Sequence, residues 1–495
     1  MSIWRVKPVS AFEADMKKSD LKRVLTKWGL TSLGIGAIIG GGIFTLTGIA
    51  ANEYAGPALA LSFVIAGIGC LFASLCYAEF SSVLPVEGSA YAYAYGTVGE
   101  FFAWFIGWNL ILEYMMGATT VAVAWSGYFV KLLHLFRIEF PVWLCNDLAT
   151  AVDKVTKHNA TFPNELWDIP SFAFNLPAFL ITWVVTAILV KGIKEAASTN
   201  NIIVIIKVAV VLFVIIAGAF FIETKNWTPF IPNEIHEIVN GKETIKYGFG
   251  GVLTAATIVF FAYIGFDAVS TQAGEAINPK KDVPFAIIMS LVICTVLYIL
   301  VSLVLTGMVP YNELDKAAPV ASAFDSVGIS WAVFLITIAA TAGLTSVMLV
   351  MMLGQTRIFL GMAKDGLLPF KMFGQLHHKF KTPYRSTLLV GGIISIVAAL
   401  TPIDKVSEMC SMGTLLAFSM VCIAVMILRY KKPELERPYK TPALYLVGTL
   451  GVAFNLFLMY FVRPETWVAF LVWGTLGIIV YFIYSKNHSN LNNQK

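Results

Sequence analysis

The sequence is poor in charge: only 13% of its 495 residues are Asp, Glu, Lys or Arg, about half the share in ordinary soluble domains. With 58% hydrophobic residues and a mean hydropathy of +0.76, a water-soluble globular chain is excluded and a polytopic membrane protein is expected. Cysteine is scarce, and its six copies lack metal-ligand spacing. Cys70, Cys76, Cys294, Cys410 and Cys422 lie in apolar stretches and Cys145 stands alone in a loop, so neither a disulfide framework nor a metal site is implied. Histidine is as sparse, and His134, His158, His236, His377, His378 and His488 fall at the ends of apolar stretches, in loops or in the tail. No Ser–His pair and no pair of carboxylates occupies an apolar stretch, which argues against a membrane-embedded enzyme, and no cofactor is expected. The first 27 residues are polar and charged, unlike a cleavable signal peptide.

What is present is a series of apolar runs. Twelve are long enough to cross about 30 Å of hydrocarbon, at approximately 29–50, 57–84, 99–130, 174–190, 199–222, 247–273, 284–308, 328–356, 384–401, 406–429, 441–461 and 465–485. Placing the N-terminus inside puts 24 of the 35 Lys and Arg residues in cytoplasmic segments or at the cytoplasmic ends of spans and ten outside, with Lys207 alone deep within a span. The positive-inside rule then sets both termini in the cytoplasm of a multi-pass protein of the cell membrane. The net charge of +5 is explained by this sorting and calls for no nucleic acid. The longest external loop, about 131–173, is polar and holds the glycosylation-type triplet Asn159-Ala-Thr161; a second, Asn226-Trp-Thr228, is also external. Nothing resembles a separate soluble domain.

The first span contains Leu33-Gly-Ile-Gly-Ala-Ile-Ile-Gly-Gly-Gly-Ile-Phe44. Glycine disfavours helix by up to about 1 kcal/mol per residue, and three in succession are expected to interrupt it. Backbone groups freed inside a bilayer cannot face lipid. Gly36-x-x-x-Gly40 also fits a close helix–helix contact. In a discontinuous helix, the N–H groups opening the second half lie at the positive end of the dipole, which suits a carboxylate. The sixth span offers a matching interruption at Phe260-Phe-Ala-Tyr-Ile-Gly265, followed by Asp267. Spans 1 and 6 each open a set of five, as two inverted repeats would require.

Two ionisable residues lie deep in apolar spans: Glu113 in span 3 and Lys207 in span 5. A charge at a helix centre costs roughly 2.5–3.5 kcal/mol on insertion scales. Snorkelling is the alternative for Lys207, and a neutral acid hydrogen-bonded between helices is the alternative for Glu113. Either group has the chemistry to exchange a proton. Met348, Met351 and Met352 in span 8 fit core filling.

Taken together, Gly36 to Phe44, Ala55-Gly-Pro-Ala58, Pro85 to Tyr95, Phe260 to Asp267, Asn278-Pro279 and Gly354 to Pro369 resemble the amino acid–polyamine–organocation transporters, in particular bacterial members of the cationic amino acid transporter family. The resemblance implies an all-α, leucine-transporter-like fold of twelve transmembrane helices. Residues 1–28 would be a cytoplasmic segment, 29–222 the first inverted repeat and 247–429 the second. Helices 11 and 12 would occupy 441–485, and 486–495 would be a cytoplasmic tail.

It further implies an amino acid substrate held between the breaks. The carboxylate would meet N–H groups at Gly41 and Gly42, and the amino group would meet carbonyls at Ile38, Phe261, Ala262 and Ile264. Phe261 would act as a lid, and Glu113 and Met351 would line the pocket. Lys207 matches a lysine that stands in for sodium in proton-coupled relatives. The middle residue of the glycine triplet often carries a hydroxyl or is Ala in relatives, so Gly41 leaves backbone donors alone. Glu275 is followed by Ala276 where relatives often have a second acid. The expected activity is proton-coupled amino acid import by alternating access. An exchanger of amino acids or polyamines and a non-transporting sensor are the alternatives.

Overall fold

The computed structural model describes residues 5–8, 25–83, 89–158, 172–192, 196–239, 242–271, 273, 276–380 and 382–492. Asn159-Ala-Thr161, Pro85 to Gly88 and Glu275 lie outside these residues. The chain is helical almost throughout, as an all-α polytopic membrane protein requires. Among the described residues, seven helices are long and apolar enough to cross a membrane.

The principal helices are α1 (Lys27–Ile38), α2 (Leu59–Val83), α3 (Glu100–Leu135), α4 (Leu176–Lys191), α5 (Ala196–Gly218), α6 (Gly248–Val259), α7 (Pro279–Met308), α8 (Ser330–Lys364), α9 (Tyr384–Leu400), α10 (Ile403–Lys431), α11 (Leu444–Tyr460) and α12 (Pro464–Val480). Local chemistry sets several ends. The Asn175 side chain accepts from the Ala178 N–H at 3.1 Å and from the Ser126 hydroxyl at 2.6 Å, capping α4 and tying it to α3. Pro319 opens the short helix Pro319–Ser326, and Gly192, at φ +90°, closes α4.

The sequence left three features as loop. The stretch 131–173 contains five more residues of α3 and the helix Leu148–His158, whose first turn Asp147 caps through the Thr150 N–H at 3.1 Å. Strands Ile235–Val239 and Lys242–Lys246 form an antiparallel hairpin with Ile235 opposite Lys246. Hairpin and loop then close on the end of the first span: Glu53 pairs with Lys246 at 3.1 Å and with Lys316.

Three buried carboxylates brace the bundle. Glu79 on α2 is paired with Arg429 and accepts from the Thr441 N–H at 2.9 Å. Glu408 on α10 accepts from Arg463 Nε at 2.7 Å and from the Thr466 hydroxyl at 2.6 Å. Glu100, at the start of α3, accepts from the Ser489 hydroxyl at 2.6 Å and the Tyr481 hydroxyl at 3.1 Å. Burying a carboxylate is tolerable only with such pairing, so these groups are spoken for by the fold. Both ends of the described chain meet on one face: the Glu100 N–H donates to the Arg5 carbonyl at 2.8 Å, while Lys7 pairs with Asp365 at 3.1 Å and the Asn490 N–H donates to the Asp365 carbonyl at 3.0 Å.

Candidate functional site

The interruption of the first span is confined to two residues. Helix α1 stops at Ile38, Ile39 is extended at φ −71° and ψ 101°, and helix resumes at Gly41, with widened turns over Gly42–Leu46. Within the widened turns, the Phe44 carbonyl accepts from the Tyr128 hydroxyl at 2.6 Å. The N–H groups of Gly41 and Gly42 open the new helix, ahead of any intrahelical bond. Among the described residues, neither N–H donates to a carbonyl of another element.

The three glycines differ in what surrounds them. A Cβ on Gly42 would lie 2.3 Å from both Cα and Cβ of Ala262, so only glycine lets the two interrupted helices meet here. A Cβ on Gly40 would lie 3.1 Å from Val347 on α8. A Cβ on Gly41 would meet Ala124 at 3.4 Å, with Leu344 and Phe261 at 3.9 Å, all ordinary contacts. Gly41 therefore faces an apolar space enclosed by α3, α8 and the Phe261 ring. Gly36 makes the packing contact that its spacing suggests: its Cβ would fall 2.2 Å from Val204 on α5.

The second interruption follows α6. Phe260–Tyr263 tightens into a 3-10 turn, Ile264 is extended at ψ 134°, and Gly265 sits at φ +118°. A Cβ on Gly265 would lie 2.9 Å from the Ala37 carbonyl carbon, so backbone conformation and close approach to α1 both require glycine. The Phe261 carbonyl accepts from the Ile264 N–H at 3.1 Å.

Two side chains bind the freed carbonyls. Lys207 is fully buried, and its Nζ donates to the Gly36 carbonyl at 2.8 Å and the Ile39 carbonyl at 3.2 Å. It does not snorkel; its stem runs along Gly343 of α8, whose Cβ would lie 3.0 Å from Lys207 Cε. The ammonium thus joins α1, α5 and α8 at the break. On the other side, the Tyr298 hydroxyl of α7 lies 2.8 Å from the Ile38 carbonyl oxygen and 3.0 Å from that of Ala262. Its single hydrogen serves one of them at a time. Nothing in the sequence marked Tyr298, one aromatic residue in a long apolar run.

Of the residues expected at the site, Ile38, Gly41, Gly42, Phe261, Ala262 and Ile264 lie at or beside the two breaks. Glu113 and Met351 lie further towards the face that carries the chain ends. Glu113 is eleven residues before Ala124 on α3, about 16 Å along the helix at 1.5 Å per residue. Met351 Sδ is 3.5 Å from where a Cβ on Gly117 would stand, between Ala124 and Glu113. Both carboxyl oxygens of Glu113 are buried without a hydrogen-bond partner, and Asp267 is among its neighbours. The Tyr114 hydroxyl is 3.5 Å from Asp267 Oδ2. Glu113, Tyr114 and Asp267 therefore make a second polar group below the breaks, which the sequence signalled only through Glu113.

Two interrupted helices thus lie face to face inside the bundle, held by a buried lysine and a tyrosine. The family model described as amino acid permease matches residues 25–484. The chain belongs to the amino acid permease family. It is 44% identical over 493 residues to the branched-chain amino acid permease BcaP of Bacillus subtilis (strain 168), covering 99% of both chains. It is 41% identical over 491 residues to the methylthioribose transporter of the same organism, again covering 99% of both. Similarity extends to the mitochondrial cationic amino acid transporter 3 of Arabidopsis thaliana, at 38% over 420 residues, or 84% of this chain and 64% of that one. The permease is thus similar over nearly its full length to two bacterial transporters.

Proposed function

We propose that this permease imports an amino acid together with a proton by alternating access. The supporting observation is the Lys207 ammonium, which grips the Gly36 and Ile39 carbonyls at the break. The substrate carboxylate binds the Gly41 and Gly42 N–H groups. The amino group binds carbonyls of Ile38, Phe261, Ala262 and Ile264, and Phe261 covers the substrate. Met351 lines the far end of the pocket, and Glu113 stands beyond it on the exit path. Protonated Lys207 holds α1 against α5 and α8; loss of the proton loosens that contact and lets the breaks open to the other side.

This reading takes the fold as twelve spans in a leucine-transporter-like arrangement. The first repeat is 29–222, the second 247–429, helices 11 and 12 follow at 441–485, and both termini are cytoplasmic. The two Bacillus relatives are nearly equally similar to this chain, yet their names specify an amino acid and a sulfur-containing sugar. The lining around Gly41 (Ala124, Leu344 and Phe261) favours an apolar side chain. A thermal-shift screen of purified protein against the twenty amino acids, polyamines and methylthioribose identifies the substrate. Uptake of that substrate into proteoliposomes is then measured with and without an imposed pH gradient. Accumulation driven by the gradient is expected, and equal uptake without it overturns proton coupling.

A further inference from the structure

A groove opens on the face that carries both chain ends, where the end of α10 meets the start of α11 and the turn before α3. Its walls are Val98, Met426, Ile427, Tyr430 and Tyr445, and it encloses about 370 Å³. Lys431 lines it and also lines an adjoining cavity of about 290 Å³, shared with Lys432, Thr97, Gly96 and the N-terminal residues Val6 and Pro8. The two cavities share Lys431 in their walls, the first otherwise lined by apolar and aromatic side chains and the second by both lysines.

Neighbouring charges leave the basic end uncompensated. Arg429 is taken up by Glu79, and Arg437 donates to the carbonyls of Lys432, Pro433 and Leu435. Glu436 pairs with Lys280 at 3.6 Å. Among the described residues, neither Lys431 nor Lys432 has a carboxylate within ion-pair distance. Tyr430 and Tyr445 are 80% and 54% exposed at the same level, and tyrosine at that exposure marks the boundary between hydrocarbon and headgroups. At Gly448 α11 packs directly on Met426 of α10, one of the groove's walls: a Cβ there would lie 2.8 Å from its sulfur.

We propose that this groove binds one anionic glycerophospholipid from the leaflet on the chain-end side. The lipid phosphate lies between Lys431 and Lys432, and an acyl chain runs along Val98, Met426 and Ile427 beside Tyr445. Basic pockets between transmembrane helices select anionic headgroups in this way. The lipid would join α10, α11, the turn before α3 and the N-terminal segment. Its site is separate from the amino acid site at the helix breaks.

The test uses the full chain purified in a neutral detergent. Thermal unfolding is followed with added phosphatidylglycerol, with phosphatidylcholine of the same acyl chains and with glycerol 3-phosphate, and native mass spectrometry counts retained lipid. Phosphatidylglycerol is expected to raise the unfolding midpoint by several degrees and to leave one tightly held lipid; the other two are expected to do neither. Lys431→Gln/Lys432→Gln is expected to lose both effects. Ile427→Trp, which fills the apolar wall without touching charge, is expected to lose the retained lipid. A control pair, Lys371→Gln/Lys379→Gln, changes the same number of charges in the loop between α8 and α9 and is expected to behave as wild type. Equal shifts with phosphatidylcholine overturn the headgroup selection, and an equal shift with glycerol 3-phosphate overturns the lipid itself. Full lipid retention by both groove variants overturns the site.

Discussion

Replacing Lys207 by Met keeps most of the buried stem and removes the two hydrogen bonds to Gly36 and Ile39. A hydrogen bond from a charged donor contributes about 1.5–3 kcal/mol, against about 0.5–1.5 for a neutral pair. Losing the proton alone therefore weakens two bonds by about 1–1.5 kcal/mol each, or about 2–3 kcal/mol together. At 1.4 kcal/mol per tenfold, that shifts the balance between the docked and loosened arrangements of α1 roughly 30–150-fold. This is enough to link a proton to a conformational step. Met at this position cannot be switched, so the variant is expected to lose accumulation driven by a pH gradient. Arg is expected to fail as well, because its planar fork does not reproduce the point contact that the fully buried Lys207 Nζ makes with the Gly36 and Ile39 carbonyls. The assay is uptake into proteoliposomes with the inside alkaline, beside counterflow without a gradient. Full gradient-driven accumulation by Lys207→Met would refute the reasoning.

Gly41→Ala is expected to bind and transport within about threefold of wild type, because its Cβ meets only ordinary contacts. Gly42→Ala is expected to abolish ligand-induced thermal stabilisation, because its Cβ lands 2.3 Å from Ala262; the reverse order would show that the two glycines have been assigned to the wrong surroundings. Tyr298→Phe removes the shared donor of Ile38 and Ala262 and is expected to cost about 1–3 kcal/mol of stability. Unchanged chemical denaturation would contradict it. Arg463→Met strands the buried Glu408 carboxylate and is expected to destabilise by about 3–5 kcal/mol. Adding Glu408→Gln is expected to restore part of the loss in the same thermal scan.

Helix positions were legible because apolar run length and caps such as Asn175 are local signals. The break at Ile39–Gly40 was legible for the same reason, since glycine acts on its own backbone. Lys207 stood out because a charge in an apolar run needs a partner, although the sequence could not name the carbonyls of Gly36 and Ile39. The register between helices was not legible. Gly41 and Gly42 are adjacent and chemically identical, yet one faces Ala124 and Phe261 while the other presses on Ala262. Glu113 was placed near the pocket by the resemblance; along α3 it lies about one helical turn from Gly117 and about 16 Å from Ala124, a separation that counting residues within one span could not relate to the breaks. The hairpin Ile235–Lys246 and the helix Leu148–His158 were missed because polar segments between apolar runs carry no bilayer signal.

Counting the backbone groups at the first break shows which end of a substrate matters more. On the carbonyl side, Ile35 accepts from Ile39, Gly40 accepts from Phe44 at 3.3 Å, Gly36 and Ile39 accept from Lys207, and Ile38 lies against Tyr298. A carbonyl has two lone pairs, so these groups can still accept an amine, but they are already satisfied without one. An N–H has a single hydrogen, and those of Gly41 and Gly42 have no donor-sharing alternative of this kind. In the proposed binding mode, a ligand without a carboxylate leaves two buried donors unmade, at about 1–3 kcal/mol each, whereas a ligand without an amine leaves the Gly36, Ile39 and Gly40 carbonyls bonded and Ile38 sharing the Tyr298 hydroxyl with Ala262. The substrate's decarboxylated amine is therefore expected to bind at least about 30-fold more weakly than the substrate, following 1.4 kcal/mol per tenfold. The des-amino acid is expected to lose less. Calorimetric titration of the three ligands decides it: if the des-amino acid proves the weaker of the two analogues, the carboxylate does not sit on Gly41 and Gly42.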